Sequence, residues 1–119
     1  RTGAALPTVP EHAPLAEAIL EITRKRMGMT AVLSPEGAVA GIFTDGDLRR
    51  LLERNGDIRS LKVSEVMSRS PATIGPGALA AEAVKIMEDR RISQLLVVDA
   101  QHRLAGALHI HDLLTAKVV

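Results

Sequence analysis

The sequence predicts an α+β fold of two repeats related by a pseudo-twofold axis, each running strand, helix, strand, strand, helix around a small mixed sheet. Three observations carry this. The stretch Gly41-Ile42-Phe43-Thr44-Asp45-Gly46-Asp47-Leu48 returns in weaker form as Gly106-Ala107-Leu108-His109-Ile110-His111-Asp112-Leu113, displaced by 65 residues. At that same gapless offset, residues 6–54 share 11 identities with their copies, including Glu17/Glu82, Arg26/Arg91, Gly41/Gly106, Asp47/Asp112 and Leu48/Leu113. Apolar residues also recur with helical and then strand-like spacing at the same places in both copies. Low identity with unchanged periodicity means that the fold is what was duplicated.

Residues 1–5 read as a tail or linker, 6–56 as the first repeat, 57–70 as a connector and 71–119 as the second repeat. Pro7 and Pro10 bracket a short extended piece, Thr8-Val9. From Ala13 to about Lys25, Leu15, Ala18, Ile19 and Ile22 follow i, i+3, i+4, i+7, while Glu17, Glu21, Arg24 and Lys25 take other faces. That is an amphipathic helix with one buried stripe, ended by Gly28. Met29 to Leu33 reads as a short buried strand, closed by the turn Ser34-Pro35-Glu36-Gly37, and Val39 to Phe43 as its partner. Leu48, Leu51 and Leu52 mark a second helix that stops at Asn55-Gly56. The connector holds Val63-Ser64-Glu65-Val66-Met67, too short to fold alone and expected to dock its Val and Met onto the lobes.

In the second repeat Thr73-Ile74 answers Thr8-Val9. Ala80, Ala83, Val84 and Met87 answer the helix stripe, and Leu95 to Val98 the first buried strand. A three-stranded mixed sheet with helices on one face leaves its other face apolar. Packing the two sheets, or their helices, about the pseudo-twofold axis covers it.

Composition narrows the function classes. The core must be aliphatic, because Phe43 is the only aromatic residue, and stacking of bases on an aromatic platform is excluded. Fifteen basic and fourteen acidic side chains, interspersed, give a net charge of +1 and no long-range field to gather nucleic acid. No apolar run approaches the ~18 residues of a membrane span, and no signal-like segment follows Arg1-Thr2-Gly3. The expectation is a soluble cytoplasmic chain with neither nucleic acid nor membrane as partner. Cysteine is absent, so disulfide and thiolate chemistry are too. The missing initiator methionine suggests a piece of something longer.

The chemistry concentrates where the strand ending in Phe43 meets the next helix. Thr44 and Asp47 are three residues apart at a helix start, the spacing of a capping box, and that role alone accounts for Thr44. A strand end followed by a helix N-terminus is also a place where anionic, hydroxyl-rich ligands bind, and a carboxylate accepts from both hydroxyls of a ribose diol. In the copy the threonine becomes His109 while Asp112, Gly106 and Leu113 stay, which favours a ligand role for Asp47. Gly41 and Gly106 bring strand backbone close to a base or to a neighbouring strand. For Arg49 and Arg50 a solvated basic face is the simpler reading. His109, His111 and Asp112 are dense enough to suggest zinc, but a strand end and a helix start do not aim both imidazoles at one ion, so no metal is expected. There is no Gly-x-Ser-x-Gly elbow and no phosphate-cradling glycine loop to support catalysis.

The doubled pattern of short strand, helix, hairpin and Gly-h-h-Thr-x-x-Asp resembles a pair of CBS domains, a Bateman module, over residues 6–119. Such modules commonly bind adenosine nucleotides in clefts between the lobes and regulate an attached enzyme or transporter. The resemblance implies that Thr44 and Asp47 occupy the ribose and phosphate position of the first copy and Asp112 that of the second, where His109 departs from the family's Ser/Thr. Gly41, Gly106, Val9 and Ile74 complete the candidate ligand-binding set. More narrowly, Arg26-Met27-Gly28-Met29-Thr30, Gly41 through Arg50, and Leu108-His109-Ile110-His111-Asp112-Leu113-Leu114 are similar to the C-terminal CBS pair of bacterial arabinose 5-phosphate isomerases, which serve Kdo synthesis for lipopolysaccharide.

That similarity implies a non-catalytic regulatory and dimer-forming module needing no cofactor, joined in the parent chain to an N-terminal sugar-isomerase domain. It further implies a homodimer through the CBS modules, a tetramer in the parent, and an adenine or cytidine nucleotide effector, or a CMP-sugar. The rival expectation is a structural oligomerisation module without a ligand.

Overall fold

Two prolines hold the chain extended around Val9, and in the computed structural model, which describes residues 6–25, 28–54, 57–69 and 71–110, this piece is strand β1 (Thr8–Pro10). It lies parallel to β2 (Met29–Leu33), with Val9 opposite Val32, and a parallel pair needs a crossover. Helix α1 (Leu15–Lys25) supplies it and buries Leu15, Ala18 and Ile22, with Ile19 packed beside them. A turn then returns the chain as β3 (Val39–Thr44), antiparallel to β2, with Met29 opposite Thr44 and Val32 opposite Gly41. Helix α2 (Asp45–Arg54) begins at the next residue and buries Leu51 against the same core.

The connector is more ordered than its length predicts. Val63 and Met67 do enter the core of the first repeat, on a one-turn helix α3 (Val63–Val66). Backbone bonds from Leu15 to Leu61 (2.8 Å) and from Val63 to Ala13 (3.0 Å) fasten it to the start of α1. It then adds strand β4 (Ser68–Arg69) against Gly41 and Ile42 of β3. The first sheet therefore has four strands, β1-β2-β3-β4, where the sequence predicts three. A two-residue strand is too short to carry an alternation of its own.

In the second repeat β5 (Thr73–Ile74), α4 (Ala80–Arg90), β6 (Gln94–Val98) and β7 (Leu104–His109) form the expected three-stranded sheet, β5-β6-β7. The bounds of α4, β6 and β7 are those of α1, β2 and β3 displaced by 65 at both ends. Small irregularities are duplicated as well: the hairpin register slips between Val32 and Leu33 and again between Val97 and Val98. The amide of Asp45 donates to the carbonyl of Gly28 (2.9 Å), and that of Ile110 to Ser93 (2.8 Å). The helix expected after Asp112 lies outside the described residues.

The uncovered sheet faces meet each other. One core cluster contains Ala31 with its copy Leu96, Ile42 with Ala107, Leu33 with Val98 and Val39 with Leu104. Separate clusters lie between each sheet and its own helices. Two half-chains of this size share apolar surface because neither buries enough of it alone. No helix among the described residues is long and apolar enough to cross a membrane.

Candidate functional site

The β3–α2 junction is built from reciprocal bonds. The Thr44 amide donates to Asp47 Oδ2 (3.0 Å), and the Asp47 amide donates to Thr44 Oγ1 (3.1 Å). This is a capping box that satisfies two donors at the helix start and places a carboxylate in its first turn. Asp47 Oδ1 accepts from Arg50 Nη2 at 2.9 Å. Both carboxylate oxygens are thus engaged, yet a carboxylate has about four lone-pair sites, so each oxygen can accept again. The capping role read from the sequence for Thr44 is present, and Asp47 shares it.

Thr44 and Asp47 stand on the wall of a cavity of about 620 Å³ that both repeats build. The first repeat contributes Ile42, Gly46, Arg49 and Arg50, the connector Ser68 and Arg69, and the second repeat Pro71, Ala72 and the run Arg90 to Gln94. Arg49 and Arg50 therefore border a cavity instead of only a solvated helix face. The reason is tertiary: the end of α4 and the start of β6 line the same cavity as α2, which periodicity within one repeat cannot reveal.

The other candidates lie elsewhere. Gly41 is buried in β3, where a Cβ would stand 2.7 Å from both Met67 Sδ and the carbonyl oxygen of Ser68, so its bareness admits β4. Gly106 is buried in β7 opposite Val97. Val9 belongs to the helix-side core of the first repeat. Ile74 belongs to that of the second and borders a smaller cavity of about 210 Å³. His109 ends β7 opposite Gln94, itself a wall residue of the larger cavity. Asp112 and His111 lie outside the described residues, so the zinc question falls there too. The sequence reading missed Arg69, Arg90, Arg91, Ser93 and Gln94; the retained pair Arg26/Arg91 was the signal that pointed to this corner.

Among the described residues five arginines line the cavity with one carboxylate, Asp47, an excess of four positive charges in a chain whose net charge is +1. Arg50 is paired with Asp47, and Arg69 Nη2 donates to the Ser64 carbonyl at 3.1 Å. A small, dense positive field of this kind attracts anions, and guanidinium forks suit phosphate and carboxylate oxygens.

Comparison with known proteins agrees with this architecture. The CBS domain family matches residues 4–54 and again 63–119. Among curated relatives, arabinose 5-phosphate isomerase KdsD of Pseudomonas aeruginosa is 51% identical over 117 residues, and that of Salmonella typhi 48% over 118. These matches cover 98% and 99% of this chain but 36% of each relative, so the chain spans about a third of their length. Among solved structures, a CBS-domain-containing protein from Agrobacterium tumefaciens aligns with a TM-score of 0.85 at 25% identity, over 95% of this chain and 84% of that one. A CBS domain protein from Pyrobaculum aerophilum, solved in complex with AMP, aligns at 0.84 and 20% identity, over 94% and 83%. Repeated strand-helix-hairpin units, two sheets packed about a pseudo-twofold axis and the match in both halves have one meaning: this chain belongs to the CBS domain family, as a tandem pair.

Proposed function

We propose that this CBS pair is the non-catalytic regulatory module of an arabinose 5-phosphate/ribulose 5-phosphate isomerase, and that it senses a nucleotide or nucleotide sugar in the Thr44–Asp47 cavity. The observation that carries this is the position of Asp47: a carboxylate held by its own helix start, with acceptor sites to spare, on the wall of a basic cavity shared by both repeats. Asp47 accepts from the sugar hydroxyls, and Arg49, Arg69, Arg90 and Arg91 meet the phosphate or acidic sugar. A cavity with walls from both repeats lets a ligand change how they sit together, which is how binding reaches an attached domain. The proposal draws on the KdsD relatives for the parent activity and on the AMP complex of a structural neighbour for the ligand class. The module requires no cofactor.

A thermal-shift panel of AMP, ADP, ATP, CMP and a cytidine nucleotide sugar tests it. One or more of them raises the melting temperature of the wild type, and Asp47→Ala abolishes the rise. A panel without any shift at millimolar concentration overturns the reading.

A second role is favoured by a specific observation. Leu20, Leu52 and Leu79 are 58%, 55% and 72% exposed, on α1, on α2 and just before α4. Apolar helix surface of this kind suits a homodimer through the CBS modules and a tetramer in the parent. Light scattering on wild type and Leu20→Glu/Leu52→Glu separates the two: a dimer that the double variant makes monomeric supports it, and a monomeric wild type overturns it.

A further inference from the structure

We infer that the cavity selects a nucleoside di- or triphosphate over the monophosphate, and that Arg91 is the residue that sets this preference; the inference rests on the nucleotide reading above.

Three separate segments send guanidiniums to one cavity: Arg49 and Arg50 from α2, Arg69 from β4, and Arg90 and Arg91 from the end of α4. Elsewhere on the surface Arg59 pairs with Asp57 at 3.0 Å and Arg24 with Glu21 at 3.8 Å. Around the cavity, among the described residues, Arg50 alone does so, with Asp47 at 2.9 Å. Asp89 pairs instead with Lys85 (3.3 Å), and the side chains of Arg49, Arg90 and Arg91 make no ion pair with a described residue. Like charges left facing one another repel, and a multiply charged anion between them removes the repulsion.

Arg91 adds a second, independent observation. It caps α4 in the left-handed conformation, φ 57° and ψ 46°, with its amide directed to Glu88 and Met87. Glycine is the usual residue there, because a Cβ crowds the backbone in this region. A positive charge at a helix C-terminus is favourable, but a lysine or arginine one turn earlier supplies it without strain, and Arg90 already does. Backbone strain at a cavity wall, where glycine would be easier to hold, is the pattern of a residue kept for its guanidinium.

Charge count then gives the ligand class. A phosphate monoester carries about −1.5 to −2 at pH 7, so it leaves much of the excess of four positive charges on the described lining residues unmet. A second or third phosphoryl group on the same ligand meets it. The shared chemistry is that of linked phosphates, and inorganic tripolyphosphate presents it without a nucleoside.

Calorimetric titration of the whole chain, free of magnesium, with adenosine and cytidine mono-, di- and triphosphates and with inorganic tripolyphosphate tests the inference. The di- and triphosphates bind at least tenfold tighter than the monophosphate with the same base. Arg91→Gly lowers that ratio at least fivefold without lowering the melting temperature of the unliganded protein, whereas Arg54→Gln, which removes a charge outside the cavity wall, leaves the ratio unchanged. Equal affinity for mono- and triphosphate, or an unchanged ratio in Arg91→Gly, overturns the inference while leaving the nucleotide reading intact. Binding of tripolyphosphate but of no nucleotide overturns the nucleotide reading, and with it the assignment to nucleoside polyphosphates.

Discussion

Ala38 and Arg103 form an antiparallel bridge with each other across the two repeats, and each is the copy of the other. A residue that touches its own counterpart must lie beside the axis relating the copies. The neighbouring bond, from the Val39 amide to the His102 carbonyl at 2.9 Å, holds the two hairpin turns together there. The pseudo-twofold axis thus runs through the hairpin ends and into the apolar cluster between the sheets. The larger cavity lies where α2 of the first repeat and the end of α4 in the second share a wall.

Because the cluster between the sheets draws on both repeats, they unfold together. Leu96 is fully buried in it, next to its copy Ala31. Leu96→Ala is expected to remove about 2 to 5 kcal/mol of stability, since the site cannot collapse without moving a sheet. Urea denaturation followed by circular dichroism reads it: one cooperative transition shifts to lower urea with its slope unchanged. Two resolved transitions would contradict a shared core.

At the junction, Thr44 and Asp47 act as one unit. Thr44→Ala and Asp47→Ala each leave a helix-start donor without its acceptor, and each is expected to cost about 1 kcal/mol. The double variant costs less than the sum, because each single change already breaks the box. Chemical denaturation of the four proteins completes the cycle, and additive losses would show that the two bonds are independent.

The duplication was legible because an offset of 65 residues survives even where side chains change. Met29–Leu33 and the stripe of α1 were readable from spacing, since one face of each is buried. What the sequence concealed came from tertiary contact. Ser68 and Arg69 form a strand only because β3 has a free edge at Gly41, and no local pattern marks them. Arg90 and Arg91 carry no motif of their own, and only the tertiary fold brings them to the cavity that Arg49 also lines. Val9 and Ile74 illustrate the converse: apolar strand residues near a family's ligand position satisfy the core first.

Gly41 carries a steric prediction. Met67 can swing away from a new Cβ, but the Ser68 carbonyl can move only with β4, whose pairing would then open. Gly41→Ala is expected to destabilise the protein by about 1 to 3 kcal/mol, as overpacking does. Adding Met67→Ala recovers only the side-chain part. Hydrogen exchange localises the remainder: protection falls at β4 ahead of the other strands, and uniform protection loss would refute the assignment.

The two hairpin turns give a prediction of opposite sign. Ser34 and its copy Asp99 each organise a turn: the Ala38 amide donates to Ser34 Oγ (3.2 Å), and the Arg103 amide to Asp99 Oδ1 (2.9 Å). Three residues on, the first copy places Gly37 at φ 87° and the second places His102 at φ 63°. The backbone demand is the same, and only the second copy meets it with a side chain. A left-handed non-glycine residue costs about 1 to 2 kcal/mol, from which the greater chain entropy of an unfolded glycine takes back about 0.5 to 1. His102→Gly should therefore stabilise by roughly 0.5 to 1 kcal/mol, because the carbonyl that accepts from Val39 belongs to the backbone and is retained. Gly37→Ala should destabilise by about the same amount. Melting temperatures measured together decide it, and a fall in His102→Gly would mean that the imidazole contributes something the turn geometry does not require.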